Sequence, residues 1–527
     1  MSALHRRAPS LAGRLAAFWL AVLAGGPCTA QDADAATGDG PAAGTVRLTA
    51  DGGFVVEGAL LSFDGAFYRV ETATGPVTVD AARATCTGAC PDPGLSRIAI
   101  SGDADAARVL MPALVRAYAA ARGMTVEDRQ GTLVLRADEA AVLEIALRPN
   151  GTEEGFADLL AGEADMVLAR RPVRPLEAAL ARDAGLGDLT DPLRARTLAD
   201  GALAVVVSEG SPLRSLTLPQ LAAVFAGALA DWSGLGLGAD GPVRLHLPEG
   251  GSGPAQAFED TVMAPSGLSL AESAITRHAD DGALRSAVGA DPGAIGVLRV
   301  EAAGDGVRAL ALGGGCAPPA APDPFAVASG DYPLHLPVLL YIPAQPLPGP
   351  ARDLAAWIVT PDAAAAARRA GFGVEASPIA FEAQGARLAA GIAAVDVAGL
   401  PDLKDAAAIL SGYRRRAVTF RFEDGSARLD ADGETAARRL AAEVGTGTEG
   451  SIRLLFVGFS DGPDAADARL SRLRAGLVRD HVADLAGDSG AVEMRSAGFG
   501  AALPVACGDT VWGRHANRRV ELWELVD

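Results

Sequence analysis

From Thr45 to Asp80 apolar and polar residues alternate, as in Val46-Arg47-Leu48, Phe54-Val55-Val56 and Phe67-Tyr68-Arg69-Val70-Glu71. A period of two marks strands with one buried face, and Gly52-Gly53 and Asp64-Gly65 read as turns between them, so residues 44–95 are expected to form a small β module of about four strands. No polar constellation there suggests chemistry, and an adaptor or dimerisation role is expected. Beyond it the period changes. Ile98-Ala99-Ile100-Ser101-Gly102 is a strand that ends in small residues. Ala104 to Arg122 carries Leu110, Leu114 and Tyr118 at helical spacing, with Pro112 placed to kink the helix. Leu143–Leu147 is a strand, Thr152–Ala161 a helix, and Asp165–Ala169 a strand. Such alternation, sustained over residues 96–378, predicts an α/β fold with mostly parallel sheets and ligands at the carboxyl ends of strands. An Ala/Leu-rich helical connector follows over 379–415, expected to pack between its neighbours. Residues 416–527 return to mixed elements. A strand opens with Phe420-Arg421-Phe422, and an apolar strand ends in Val457-Gly458-Phe459-Ser460-Asp461. A helix carries Leu470-Ser471-Arg472-Leu473-Arg474-Ala475, and a closing strand begins at Asn517-Arg518-Arg519-Val520-Glu521.

The chain has 527 residues, of which 49% are apolar, and a formal charge of −19. The length suggests three or four domains, and the acidic balance argues against nucleic acid as a partner. The first thirty residues read as a secretory signal: Arg6, Arg7 and Arg14, an apolar core Leu15–Ala24, and Cys28-Thr29-Ala30 ahead of cleavage at Gln31. Pro27 before Cys28 argues against a lipoprotein signal. Residues 31–43 read as a flexible leader, and no later stretch is long and apolar enough to span a membrane. Four cysteines would remain after cleavage, and an even number in an exported chain suggests disulfides. Cys86 and Cys90 can close a small loop. Cys316 and Cys507 either pair across domains or stay free; both readings are open. The scattered histidines give no metal-ligand spacing, so neither metal nor cofactor is expected.

In the C-terminal segment the Gly-x-Ser-Asp turn, the Leu-Ser-x-x-Arg helix and the paired arginines of the closing strand occur in a specific order. This segment resembles the OmpA-like peptidoglycan-binding domain, an α/β sandwich. The resemblance implies that Asp461 takes the ammonium and Arg474 the carboxylate of diaminopimelate in a cell-wall stem peptide, with Arg518 supporting them. The chemistry is consistent with that role. Diaminopimelate is a zwitterion, and a guanidinium fork can bind a carboxylate through two parallel hydrogen bonds. The plainer reading of Asp461 and Arg474 is a surface ion pair. The chain departs from the family at Asp467, where asparagine is usual.

The segment 96–378 resembles a phosphate-type periplasmic solute-binding protein, a two-lobed α/β clamp that closes on an anion. The stretches that carry the resemblance are Gly162-Glu163-Ala164-Asp165…Arg171-Pro172, Asp200-Gly201-Ala202-Leu203, and Leu216-Thr217…Phe225-Ala226-Gly227…Asp231-Trp232. Gly250-Gly251-Ser252-Gly253 and Pro292-Gly293-Ala294-Ile295-Gly296 extend it. It implies that Ser101, Gly102, Ser252 and Gly253 touch the oxyanion and that Asp165 accepts its proton; the plainer role for Asp165 is to cap a turn. Departures stand at Pro248, where the family has arginine, at Pro254, where it has threonine, and at Asp103. Arg170, Arg171 and Arg244 are candidates to supply the missing positive charge.

Together these readings predict a multidomain chain: a small N-terminal β module, a two-lobed clamp and a C-terminal OmpA-like sandwich. By resemblance it is a wall-tethered periplasmic binding protein, held against peptidoglycan and the outer membrane, with phosphate as the anion and an ABC permease as a partner. No hydrolase arrangement is visible, since Ser252 lies outside a Gly-x-Ser-x-Gly elbow, and no enzymatic activity is expected. The rival expectation is a non-transport envelope protein whose clamp is a degenerate structural or protein-interaction module on the same anchor.

Overall fold

The structure, a computed structural model, describes residues 45–50, 53–63, 67–90, 95–313, 316–394, 399–423, 425–445, 452–462, 465–487 and 492–526. The signal peptide and leader lie outside the described residues.

The N-terminal module is one antiparallel sheet of five strands, in the order Gly75–Asp80, Phe67–Thr72, Val55–Phe63, Thr45–Ala50, Ala84–Gly88. The last strand is one more than the alternation predicts. Its residues are small (Ala-Thr-Cys-Thr-Gly), so it carries no hydrophobic period to read. One face buries Val46, Leu48, Val56, Phe63, Tyr68 and Val70. Arg69 Nη1 donates to Gln345 Oε1 across 2.9 Å, which ties the module to the following domain.

That domain has two lobes, each built on its own sheet. The first sheet runs Ala195–Ala199, Val338–Tyr341, Met166–Ala169, Ser96–Gly102, Ala140–Arg148, Thr132–Ala137, Thr125–Arg129. The second runs Ile275–His278, Arg244–Pro248, Ala294–Arg299, Leu203–Ser208, Val307–Ala309. Both are mixed. Ser96–Gly102 is parallel to Met166–Ala169 and to Ala140–Arg148, whereas Val338–Tyr341 and Leu203–Ser208 run antiparallel to their neighbours. Those two strands begin where the chain has just crossed between lobes, and Thr132–Ala137 is antiparallel to both of its neighbours as well. The chain crosses at 200–202 and again at 336–337. The two crossings lie side by side, with Leu336 N donating to Gly201 O at 2.8 Å and Leu203 N to Leu334 O at 2.9 Å. Two short connections of this kind form a hinge. The expected helix after Gly102 starts with a π turn, Ala106–Leu110, and continues as an α-helix from Met111 to Ala120. The π turn comes just ahead of Pro112, which lacks the N–H that an uninterrupted α-helix would use there.

The C-terminal sheet has the order Ile379–Ala380, Arg414–Arg421, Arg519–Val526, Ile452–Phe459, Glu493–Gly498. Helices Ala431–Gly445 and Ala465–Ala486 cover one face, packing on Phe420, Leu454, Phe456, Val520 and Leu522. The connector forms helices Gly385–Ala394 and Leu400–Leu410, and these cover the other face, against Leu455, Val457, Phe459 and Trp523. A strand buried on both faces has no polar side, which is why Leu454-Leu455-Phe456-Val457 reads as an unbroken apolar run.

This domain is seated on the hinge. Ala195–Ala199 is an edge strand, and Ala431–Gly445 lies along it: Thr197 N donates to Thr435 Oγ1 at 3.2 Å, and Arg439 Nη2 donates to Leu198 O at 3.2 Å. On the other lobe Arg415 pairs with Asp331 at 2.6 Å, and Arg421 donates to Ser329 O and Gly330 O. Cys316 and Cys507 form a disulfide between that lobe and the C-terminal domain, and Cys86 pairs with Cys90.

Candidate functional sites

The C-terminal candidate site stands where the strand Ile452–Phe459 ends. Gly458 lets the following helix lie directly on the strand, since a Cβ there would fall 2.0 Å from Ser471 O. Ser471 is fully buried; its Oγ donates to Ala468 O at 2.9 Å and accepts from Gly500 N at 3.1 Å. The Leu-Ser pair of the motif thus fastens the helix to two strand ends and sets Arg474 one turn further on. Asp461 Oδ2 accepts from Arg518 Nη1 at 3.0 Å. Arg474 is 3% exposed, yet among the described residues only one of its nitrogens is used: Nη2 donates to Ser426 O at 2.9 Å. Its Nε and Nη1 are buried without a hydrogen-bond partner among the described residues, and the Phe422 ring lies 4.8 Å from the guanidinium. Burial, then the neighbouring Arg518, pull the Arg474 guanidinium below its ordinary range, against the opposing pull of Asp461 and Asp467. On the far side of Asp461 opens a cavity of about 200 Å³ lined by Asp402, Ser460, Phe499, Pro504, Asn517 and Cys316, among others. The Asn517 amide shapes its rim, accepting from Val505 N and donating to Ala506 O. The cavity therefore has walls from three parts of the chain: the C-terminal sheet, the connector and the clamp.

The predicted anion residues do not all meet. Ser101 and Gly102 stand at the carboxyl end of their strand, as expected. The Ser101 hydroxyl, however, is fully buried and donates to Asp158 Oδ2 at 2.5 Å. Gly102 has φ +141° and sits so tightly that a Cβ would lie 1.9 Å from Leu168 O. Asp165 precedes Met166–Ala169 and lies level with Ala99, whose N–H donates to Asp165 Oδ2 at 2.7 Å. Burial raises its titration above the ordinary carboxylate range. In the parallel register Leu168 is the residue opposite Gly102, so Asp165 stands three residues back from the strand end, about 10 Å at 3.3 Å per residue. On the second lobe Ser252 Oγ donates to Glu249 O at 2.7 Å and accepts from Ala255 N at 3.4 Å, capping the turn that begins at Gly253.

What the structure brings into the cleft is a set of arginines. A Cβ on Gly253 would fall 2.8 Å from the Arg170 Cβ and 3.2 Å from Asp103 Oδ2, so the loop of one lobe rests against the strand end of the other. Arg171 Nε donates to Gln256 Oε1 at 2.9 Å, Arg174 pairs with Asp260 at 3.0 Å, and Arg299 pairs with Asp105 at 2.5 Å, each bond running from lobe to lobe. Arg244 is not among them; it pairs with Asp291 at 3.0 Å at the opposite end of its strand. Gln256, Asp105 and Arg299 carry no motif that marks them in the sequence. The signal for Arg170 and Arg171 is their place directly after the apolar strand Met166–Ala169.

The profile of a PBP superfamily domain matches residues 75–362, so the chain belongs to the PBP superfamily. Protein SphX of Synechococcus elongatus is 27% identical over 212 residues, which is 38% of this chain. The match spans 60% of the length of that curated relative. Among solved structures, an ABC-type phosphate transport receptor from Vibrio cholerae aligns over 53% of this chain and 100% of its own, at 21% identity and a TM-score of 0.41. A putative phosphate ABC transporter substrate-binding protein with bound phosphate, from Clostridium perfringens, aligns over 54% of this chain and 100% of its own, at 20% identity and a TM-score of 0.38.

Proposed function

We propose that this is a wall-tethered, periplasmic binding protein: a two-lobed solute clamp carried on a C-terminal domain that docks on peptidoglycan. The observation that carries the anchor is Arg474. A guanidinium 3% exposed, with two nitrogens lacking a hydrogen-bond partner among the described residues, is costly to bury unless something completes it. A carboxylate is the group its fork fits, and the Asp461–Arg518 pair beside it offers the opposite charge to a ligand ammonium. A diaminopimelate stem peptide presents both. The cavity on the other side of Asp461 offers room for neighbouring parts of such a peptide. On this reading the protein works in the periplasm against the wall and outer membrane, its clamp takes a small anion such as phosphate, and an ABC permease is the natural recipient.

Calorimetric titration of the mature chain with a diaminopimelate tripeptide tests the anchor. Arg474→Ala is expected to weaken binding by at least roughly tenfold, the equivalent of a lost charged hydrogen bond of ~1.5–3 kcal/mol. Equal binding by the variant and the parent sinks this assignment. A second reading, that the clamp is an interaction module with no solute, is favoured by one observation: at least four lobe-to-lobe polar contacts already hold the cleft closed. Thermal unfolding with millimolar phosphate at fixed ionic strength separates the two, because a ligand of the native state raises stability by RT ln(1 + [L]/Kd).

A further inference from the structure

The C-terminal domain holds both lobes of the clamp at once. On the first lobe its helix Ala431–Gly445 caps the free edge of the strand Ala195–Ala199. Thr435 Oγ1 accepts from Thr197 N at 3.2 Å, the Thr197 hydroxyl donates to Asp432, and Arg439 donates to Thr197 O and Leu198 O. Thr197 and Thr435 are both buried. On the second lobe Arg415 donates to both oxygens of Asp331, at 2.6 and 3.3 Å. Arg421 donates to Ser329 O at 3.0 Å and to Gly330 O at 2.7 Å. Gly330 has φ +65°, and a Cβ there would fall 2.5 Å from Arg421 Nη1, so the arginine is pressed against the turn.

Covalent links run to both lobes as well. The chain passes from Phe372, in the core of the first lobe, to the strand Ile379–Ala380 of the C-terminal sheet. The Cys316–Cys507 bond joins the second lobe to the same domain. Helix and strand are parts of one body: Phe420 of Arg414–Arg421 packs in one core with Ala437, Leu440 and Ala441 of Ala431–Gly445. A close-packed core deforms little. A rotation of one lobe against the other at the two crossings is therefore not absorbed inside the domain, and it must break the contacts on one lobe. The joint itself is bridged. His335 of the second crossing lies 3.4 Å from Asp200 of the first and 3.7 Å from Asp432 of the C-terminal helix.

We propose that the C-terminal domain is a lock on the clamp: the lobes part only when it lets go of one of them. Entry and exit of a solute are then governed from the hinge side, by the docking of this domain, and not by the solute alone. The grip on each lobe is a set of hydrogen bonds from arginines, and such a set is released as a unit when the surfaces separate. The inference rests on the reading of the two-lobed domain as a clamp that opens. It is independent of which solute the clamp takes and of the peptidoglycan assignment.

The test is a spin-label distance measurement across the cleft in the full mature chain. Labels go on Leu176→Cys and Ala264→Cys, exposed positions of the first and second lobe on either side of the Arg174–Asp260 pair. Cys86, Cys90, Cys316 and Cys507 are held in disulfides. The parent is expected to give one narrow distance. Arg439→Met loosens the grip on the first lobe and Arg421→Met the grip on the second. Each is expected to raise the population of a second, longer distance at least roughly tenfold. Thr197→Val keeps the strand and removes only the hydroxyl bond to Asp432; it is expected to raise that population less, and it carries the test if an arginine variant fails to fold. Gln256→Ala removes a lobe-to-lobe bridge to Arg171 and Glu153 and serves as the comparison. A parent that samples the longer distance as often as the variants overturns the lock. If Gln256→Ala alone opens the cleft, the lock falls and the clamp reading stands. If none of the variants opens it, the clamp reading falls with the lock.

Discussion

Glu521 has no solvent exposure, and three guanidinium groups converge on it. Arg519 Nε donates to it at 2.8 Å, Arg415 Nε lies 3.3 Å away, and Arg387 donates from the connector. Trp523 Nε1 donates to its second oxygen at 3.1 Å. Burial opposes its ionisation, but Arg387, Arg415 and Arg519 outweigh that and hold the carboxyl well below the usual range. Burial brings Arg519 down to about 9. A carboxyl with a depressed folded value stabilises fully above its ordinary 4.5, and that contribution is lost as the pH falls below it. Glu521→Gln leaves the cluster short of its central counter-charge, and is expected to cost roughly 3–5 kcal/mol at neutral pH. Urea unfolding checks this, and a change under about 1 kcal/mol would contradict it. The motif Arg519-Val520-Glu521 is plain in the sequence as the start of a closing strand. Its meaning as a charge cluster is not, because Arg387, Arg415 and the nearby Asp331 come from other elements.

At the scale of elements, the position of a glycine or the direction of a strand decides what a residue can do. Gly458 is the floor on which the helix Ala465–Ala486 lies. Gly458→Ala drives a methyl into Ser471 O, and the helix must lift or the strand must bend, at an expected cost of about 1–3 kcal/mol. Because the same helix carries Arg474, the variant is also expected to bind the wall tripeptide more weakly; calorimetry and thermal unfolding on one preparation test both. Asp165 shows the other effect. Its strand was legible from Met166-Val167-Leu168-Ala169, but an apolar run does not say which end faces the cleft. The parallel pairing with Ser96–Gly102 gives the cleft to Arg170 and the middle of the sheet to Asp165. Ala84–Gly88 escaped notice for a related reason: small residues pair as well as large ones but leave no pattern.

Across the whole molecule, the C-terminal domain spans the hinge. His335, from the second crossing, lies between Asp200 of the first crossing at 3.4 Å and Asp432 of the C-terminal helix at 3.7 Å. Burial lowers the His335 titration, but Asp200 and Asp432 outweigh it and raise the value, with Arg421 opposing. Asp430 on the same segment is raised to about 6, first by burial and then by Asp432. Both folded values exceed the unfolded ones, so the stability they lend is complete at low pH and lost as the pH rises through them. Together with Glu521, this places the optimum between the two windows. Tm is expected to fall between pH 6 and pH 8, approximately the range in which a raised histidine loses its proton, and His335→Gln to flatten that fall; a parent curve that rises over the same range contradicts the assignment. The Cys316–Cys507 bond closes a separation of 191 residues. Replacing both cysteines by serine is expected to cost roughly 3–5 kcal/mol by loop-closure entropy and to let the C-terminal domain unfold in a separate step. Coincident transitions by fluorescence and circular dichroism in the variant would contradict the second part.

Much of this architecture is local and therefore readable from the chain alone. Period two gave the N-terminal strands, period 3.6 the helix after Gly102, and small residues the ends of strands where a cleft can form. The α/β character of 96–378 was legible as well, because strand, loop and helix recur there in sequence order; the two lobes were implied only by the family resemblance. The pairing of Cys316 with Cys507, the seating of Ala431–Gly445 on the hinge and the charge cluster at Glu521 were not. Each joins residues far apart in the chain, and each depends on which group reaches which partner at distances of about 3 Å. Periodicity reports the face on which a side chain lies; only the packed structure decides what meets it there.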